Sequence, residues 1–158
     1  MRLMGIAALM AAMLSGCAPH NVEVNNNVGN ALEKEVTSWV SIAPDEIKLI
    51  NQGIEEAIAK GETWPRTPMQ IMAKLLGDSV EWRELTLFEY REFGEGAQET
   101  VITFKQEGFL DDSVRGAIVQ NVYRLTADGT WRVAESKRAF RCWRGSVNLD
   151  SFGAQLCG

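Results

Sequence analysis

The chain has 158 residues, 46% of them hydrophobic, with 16 Lys and Arg against 21 Asp and Glu, three Cys and one His. These counts fit one compact domain and exclude a disordered polar tail or a disulfide-packed miniprotein. The acidic balance implies no nucleic-acid partner, and a single His removes His-based triads, His-rich metal sites and Cys-His nucleophiles, so no metal or cofactor is expected.

The N-terminus reads as a secretory signal peptide over residues 1–16: one positive residue, Arg2, then an uncharged apolar run from Met4 to Leu14, then Ser15-Gly16-Cys17. A run of about 11 residues spans roughly 16 Å as a helix, about half a hydrocarbon core, so a transmembrane anchor is a poor reading. The tetrapeptide Leu14-Ser15-Gly16-Cys17 resembles the lipobox of bacterial lipoproteins, in which small residues precede a Cys that is diacylated before cleavage. The resemblance implies that the mature chain begins at a lipidated Cys17, with several acyl chains giving stable anchoring where one would be marginal. Removing residues 1–16 leaves 142 residues, and because Arg2 is the only charge lost the formal balance moves from −5 to −6. Ala18 stands where some lipoproteins carry the Asp that retains them at the inner membrane, so the expected address is the periplasmic face of an outer membrane.

Residues 18–30 hold five Asn, a Pro and a Gly with no sustained period, as a solvated tether does; His20 lies in it. Thirteen such residues reach at most about 40 Å. A single α+β domain is expected over 31–158. Asn30-x-x-Glu33 can form a capping box, and Leu32, Val36, Trp39 and Val40 at helical spacing predict a short helix to about Val40. Pro44 suits a first helical position; Ile47, Ile50, Ile54 and Ile58 form one stripe, and Gly61 closes the segment. Thr67-Pro68-Met69-Gln70 repeats the start signal, and Met72, Leu75 and Leu76 precede Gly77.

From Val80 the period becomes two, with β-branched and aromatic residues enriched. Strands are predicted over Val80–Phe93, Ala97–Glu107, Ser113–Thr126 and Thr130–Cys142, joined by Gly94-Glu95-Gly96, by Gly108 with Asp111-Asp112, and by Ala127-Asp128-Gly129. Two or three helices followed by a four-stranded antiparallel meander make an α+β fold with helices on one face. Cystatin-like and nuclear-transport-factor-like cones share this order, which carries no function with it.

Once Cys17 is assigned to lipid, Cys142 and Cys157 remain as a pair, and closing their loop would stabilise the fold by about 3 kcal/mol in the chain-entropy model. Without it, the residues after Cys142 are expected to fray. The run Asp111-Asp112-Ser113-Val114-x-Gly116, with Tyr123-Arg124-Leu125, Trp131, Arg141-Cys142, Asp150-Ser151-Phe152 and Leu156-Cys157, resembles a group of uncharacterised bacterial secreted proteins. That resemblance spans residues 108–157 and brings no activity with it. Where the group has a Gly-rich polar turn after the first Cys, this chain has Trp143-Arg144-Gly145-Ser146-Val147.

Candidate chemistry is sparse. Residues 131–144 carry Arg132, Lys137, Arg138, Arg141 and Arg144 against Glu135, a balance of +4 that could meet an anionic glycan, phospholipid headgroups or an acidic envelope protein. Residues 81–112 carry nine acids against three bases, and pairing across an adjacent strand is the simpler expectation. Asp111-Asp112-Ser113 reads as an Asx turn, because calcium loops need a longer array of oxygen ligands. Glu84, Glu89, Glu92, Glu95 and Glu99 crowd the first hairpin, the weakest option being a carboxylate-based hydrolase of cell-wall glycan. No G-x-S-x-G elbow, phosphate loop, HExxH or CxxC occurs, and a non-enzymatic reading is preferred. Trp39 and Trp131 sit among apolar periodic neighbours, as core residues do. Loop aromatics beside Arg, namely Trp64 with Arg66 and Trp143 with Arg144, are the candidate partner contacts. The expected function is a membrane-anchored envelope scaffold or partner-binding lipoprotein; the alternative is a small-ligand or protein-inhibitor module with a pocket between helices and sheet.

Overall fold

A computed structural model describes residues 32, 34–77, 82–91 and 98–158. The signal peptide, Cys17, His20, the Asn30/Glu33 box and the Gly94-Glu95-Gly96 turn lie outside the described residues. Within them the chain is α+β. Strand β1 (Val40–Ser41) precedes helix α1 (Pro44–Ala59), a 3-10 turn (Trp64–Arg66) and helix α2 (Pro68–Leu76). Four long strands follow: β2 (Glu84–Arg91), β3 (Glu99–Glu107), β4 (Val114–Leu125) and β5 (Trp131–Cys142). All pair antiparallel in one open sheet of order β1-β5-β4-β3-β2.

Both helices start as the sequence predicts. Pro44 opens α1 with Asp45 and Glu46 in the first turn, where carboxylates favour the positive end of the helix dipole. Thr67 caps α2, its hydroxyl accepting the Gln70 N–H at 3.3 Å. After α1 the chain must reverse, and Gly61 at φ 72 supplies a left-handed residue that others adopt only with strain.

Two expectations need correction. The helix predicted to Val40 does not extend there. Val36 forms a parallel bridge to Phe152, and Val40–Ser41 pair with Arg138 and Lys137 as a fifth strand beside β5. Apolar spacing in so short a segment does not separate helix from strand, and the free hydrogen-bonding edge of β5 decides. For the same reason the four-stranded meander is a five-stranded sheet. Beyond β1, the β5 edge is met by α1: the Asn51 side-chain amide donates to the Val133 carbonyl and accepts its N–H, both at 2.9 Å. The contact falls beside a register shift at which Val122 pairs with Glu135 and Tyr123 with Val133, leaving Ala134 as the extra residue of a bulge.

The core lies between the helices and one sheet face. Ile54, Ile71, Met72, Ile102 and Tyr123 are fully buried there, with Val133 and Phe104 nearly so. Each such aliphatic side chain contributes about 1.5–3 kcal/mol. Ile58, the last residue of the predicted stripe, is 37% exposed, and Ala57 is buried in its place. The opposite face has a smaller cluster of Leu32, Ile118, Ala139 and Phe152.

Candidate functional site

The candidate contacts fall in two separate places. Trp64 is half-buried against the helix-side core, and its indole N–H donates to Glu62 at 2.6 Å. Pro65 beside it is buried and Arg66 is exposed. The Trp64 ring thus lines the helix layer, with little of it offered outward.

Trp143 stands 49% exposed in a loop platform closed by the Cys142–Cys157 disulfide, whose Cα atoms are 5.5 Å apart. Two loops meet there. The Trp143 N–H donates to the Ser113 carbonyl at 2.8 Å, Arg144 pairs with Asp112 at 2.8 Å, and the Arg115 guanidinium lies 5.2 Å from the Trp143 ring centroid. Asp111 makes the predicted Asx turn, its Oδ1 accepting the Ser113 and Val114 N–H groups at 2.7 Å each. The Val114 and Ser113 amides hold this carboxyl below the usual carboxylate range. Within the second loop, the Cys142 N–H donates to the Asn148 carbonyl at 2.9 Å, and Asn148 Nδ2 donates to the Gln155 carbonyl at 2.8 Å. Past it, Gly153 pairs with Phe140 and Phe152 is fully buried. The disulfide is therefore one of three fastenings, and the Phe152 anchor was not visible as a periodic signal.

Charge pairing differs from the adjacent-strand expectation. β5 does not touch β3, because β4 lies between them. Arg141 nevertheless reaches Glu107 at 2.6 Å, across the register line Glu107↔Gly116↔Arg141. Gly116 permits this: a Cβ there would stand 2.7 Å from the Gln106 carbonyl oxygen and 2.9 Å from Glu107 Oε2. Arg141 also pairs with Glu35 at 3.2 Å and lies 4.2 Å from the Phe152 ring centroid; Lys105 pairs with the same Glu35 at 3.2 Å. The other β5 cations turn to α1 and β1. Arg132 meets Glu55 at 3.6 Å, Arg138 meets Glu46 at 3.8 Å, and Lys137 covers the Trp39 ring at 4.6 Å. Trp39 and Trp131 are half-buried against the two apolar clusters. The +4 segment is thus divided between both faces and neutralised locally.

The acidic hairpin is dispersed too. Glu99 pairs with Arg124 at 2.8 Å, Glu84 is exposed on β2, and Glu92 and Glu95 lie outside the described residues. Among the described residues, no group of three or more His, Cys, Asp or Glu is placed to hold a metal ion, and no helix is long and apolar enough to cross a membrane.

The space between helices and sheet is filled by fully buried side chains. A half-open groove of about 390 Å³ lies outside it, between the start of α1 and β5, lined by Ile42, Pro44, Ile47, Gln120, Val122 and Lys137. Three of its polar side chains are engaged: Gln120 donates to Thr103 at 3.0 Å, Glu135 pairs with Arg124 at 3.0 Å, and Lys137 faces Trp39. Inside the core, Asn121 donates to the Tyr123 hydroxyl at 3.1 Å, its own Oδ1 has no partner among the described residues, and burial pushes the Tyr123 phenol up to about 12. In the β4–β5 turn, Asp128 accepts from the Thr126 hydroxyl and from Thr130, which hold its carboxyl down to about 2.

Compared with protein-family models, characterised proteins and solved structures, the chain matches none.

Proposed function

We propose that the chain is a membrane-anchored lipoprotein whose α+β domain serves as an envelope scaffold or partner-binding surface and performs no catalysis. The cysteine set carries the reading. Cys142 and Cys157 are bonded to each other, so the remaining cysteine is Cys17, directly behind the apolar run and Leu14-Ser15-Gly16. Such a disulfide suits an exported chain. The filled helix–sheet interface and the local neutralisation of the β5 cations support a structural body that meets partners at its loops. On this reading the anchor is Cys17, residues 17–30 are the tether, and the site is the periplasmic face of an outer membrane.

The half-open groove favours a second reading, a small-ligand module, and its volume lies in the range of ligand pockets. Partner capture separates the two. Cells expressing the wild type and a Cys17→Ala variant are fed a fatty-acid probe, and the label is expected on the wild type alone; equal labelling of both ends the lipoprotein reading. Crosslinking from envelope is expected to yield a partner, protein or lipid, that the Trp143→Ala variant loses. An unchanged set of crosslinks would leave the groove as the better candidate.

A further inference from the structure

The loop end of the sheet carries apolar side chains that nothing in the core explains. Leu110 is 78% exposed, Leu156 72%, Trp143 49% and Leu149 40%. Single exposed apolar residues are ordinary on protein surfaces; four gathered on two bonded loops at one end of the sheet are not. Leu110 precedes the Asx turn of Asp111, whose Ser113 carbonyl receives the Trp143 N–H. Leu156 adjoins Cys157, which is bonded to the neighbour of Trp143, and Leu149 follows Asn148, which is tied to Cys142 and Gln155. The loops are thus held in place before any partner arrives, which lowers the ordering cost of association.

The same half of the sheet receives the chain arriving from Cys17. Leu32 packs on Ile118, Ala139 and Phe152, and Glu35 pairs with Lys105 and Arg141, near the ends of β3 and β5 that lead into these loops. Fourteen residues lie between Cys17 and Leu32, a span of at most about 50 Å, so an anchored chain can bring this end to the bilayer.

We propose that this loop end is a membrane-resting surface, with Trp143, Leu110, Leu149 and Leu156 seated among the headgroups of the bilayer that holds Cys17. The proposal rests on the lipoprotein reading. An indole with an apolar body and one polar N–H suits the interface, and flanking Leu side chains supply buried apolar area. Charge bears on the choice of lipid. Residues 108–113 and 143–158 hold Asp111, Asp112 and Asp150 against Arg144, and Arg115 lies over the Trp143 ring, so the surface carries no positive excess that would draw anionic headgroups and suits zwitterionic ones.

The test reconstitutes the full acylated protein into vesicles of phosphatidylethanolamine and phosphatidylcholine in which part of the lipid carries bromine on the acyl chain close to the headgroup. Tryptophan emission is expected to be quenched, and the quenching to be lost in Trp143→Phe and reduced in Leu110→Ser/Leu156→Ser. It is expected to persist in Leu49→Ser, which changes a 67% exposed residue of α1. Adding phosphatidylglycerol is expected not to strengthen it. An acylated protein whose quenching is the same in wild type and Trp143→Phe overturns the surface while leaving the anchor standing; absence of label on Cys17 removes the anchor and this orientation together. Crosslinks from position 143 to an envelope protein, with no quenching, overturn the lipid surface in favour of a protein-facing one.

Discussion

The two faces of the sheet are stabilised by different physics. On the helix side, Ile54, Ile71, Met72 and Ile102 are fully buried and hydrogen bonding is secondary. On the other side a short strap around Glu35 and the Phe152 segment cover Lys105, Glu107 and Arg141, where Glu35 pairs with both Lys105 and Arg141 and Arg141 pairs with Glu107 over only a small apolar cluster. Area is non-directional and tolerates redistribution, whereas an ion-pair network stays favourable only with every member in place. The first face therefore sets how stable the domain is. The second fixes where the Glu35 strap and the segment after Cys142 lie, and with them the loop platform.

The largest expected effect breaks the helix side. Ile54→Ala should cost about 2–5 kcal/mol in urea unfolding, because a fully buried side chain leaves both lost transfer energy and a cavity. A cost below about 1 kcal/mol would mean that the interface collapses around the change and is not packed as described.

The next pair sharpens the contrast by making one chemical change in two places. Gly116→Ala should destabilise by about 1–3 kcal/mol, since its Cβ meets main-chain oxygen and Glu107 and has no flexible neighbour to displace on the Gln106 side. Gly53→Ala, on α1 with nothing within 4 Å, should stabilise by about 1 kcal/mol through helix propensity. A Gly116→Ala variant as stable as the wild type or more so would refute the close approach at Gly116.

A last effect shows only in alkali and belongs to the helix-side core. The folded Tyr123 phenol keeps its proton to about 12, whereas an unfolded tyrosine ionises near pH 10, so above pH 10 the unfolded state binds fewer protons. Stability present below pH 10 should fall by about 1.4 kcal/mol per pH unit toward pH 12. Denaturation midpoints of Tyr90→Phe and Tyr90→Phe/Tyr123→Phe proteins, measured across that range, isolate the slope; identical slopes would count against it.

Much of the fold was legible locally. The Thr67–Gln70 cap, the Pro44 start and the Asp111 Asx turn each form within a few residues, so their side chains specify them wherever the segment sits. Strands β3 to β5 were legible because alternation and turn residues agree. The ion pairs were legible in kind and only partly in place: Arg141 and Arg144 meet acids of the 81–112 segment, Glu107 and Asp112, whereas Arg132 and Arg138 turn to α1, and the reach of Arg141 past β4 depends on a glycine between the strands. Trp64 and Trp143 shared one sequence signal, an aromatic beside Arg in a loop. The helix layer took one of them as a wall, and the disulfide platform held the other outward.

By itself the sequence determined the α+β order, the helix starts, the remaining cysteine at the head of the chain and the pairing of the other two. Only the tertiary structure decided that Val40–Ser41 is a strand, that Phe152 is core, and that the four loop apolar residues share one end. Those decisions depend on edges, register and close approaches between segments some hundred residues apart, such as Thr37 and Phe152, and local propensity carries no information about such distances.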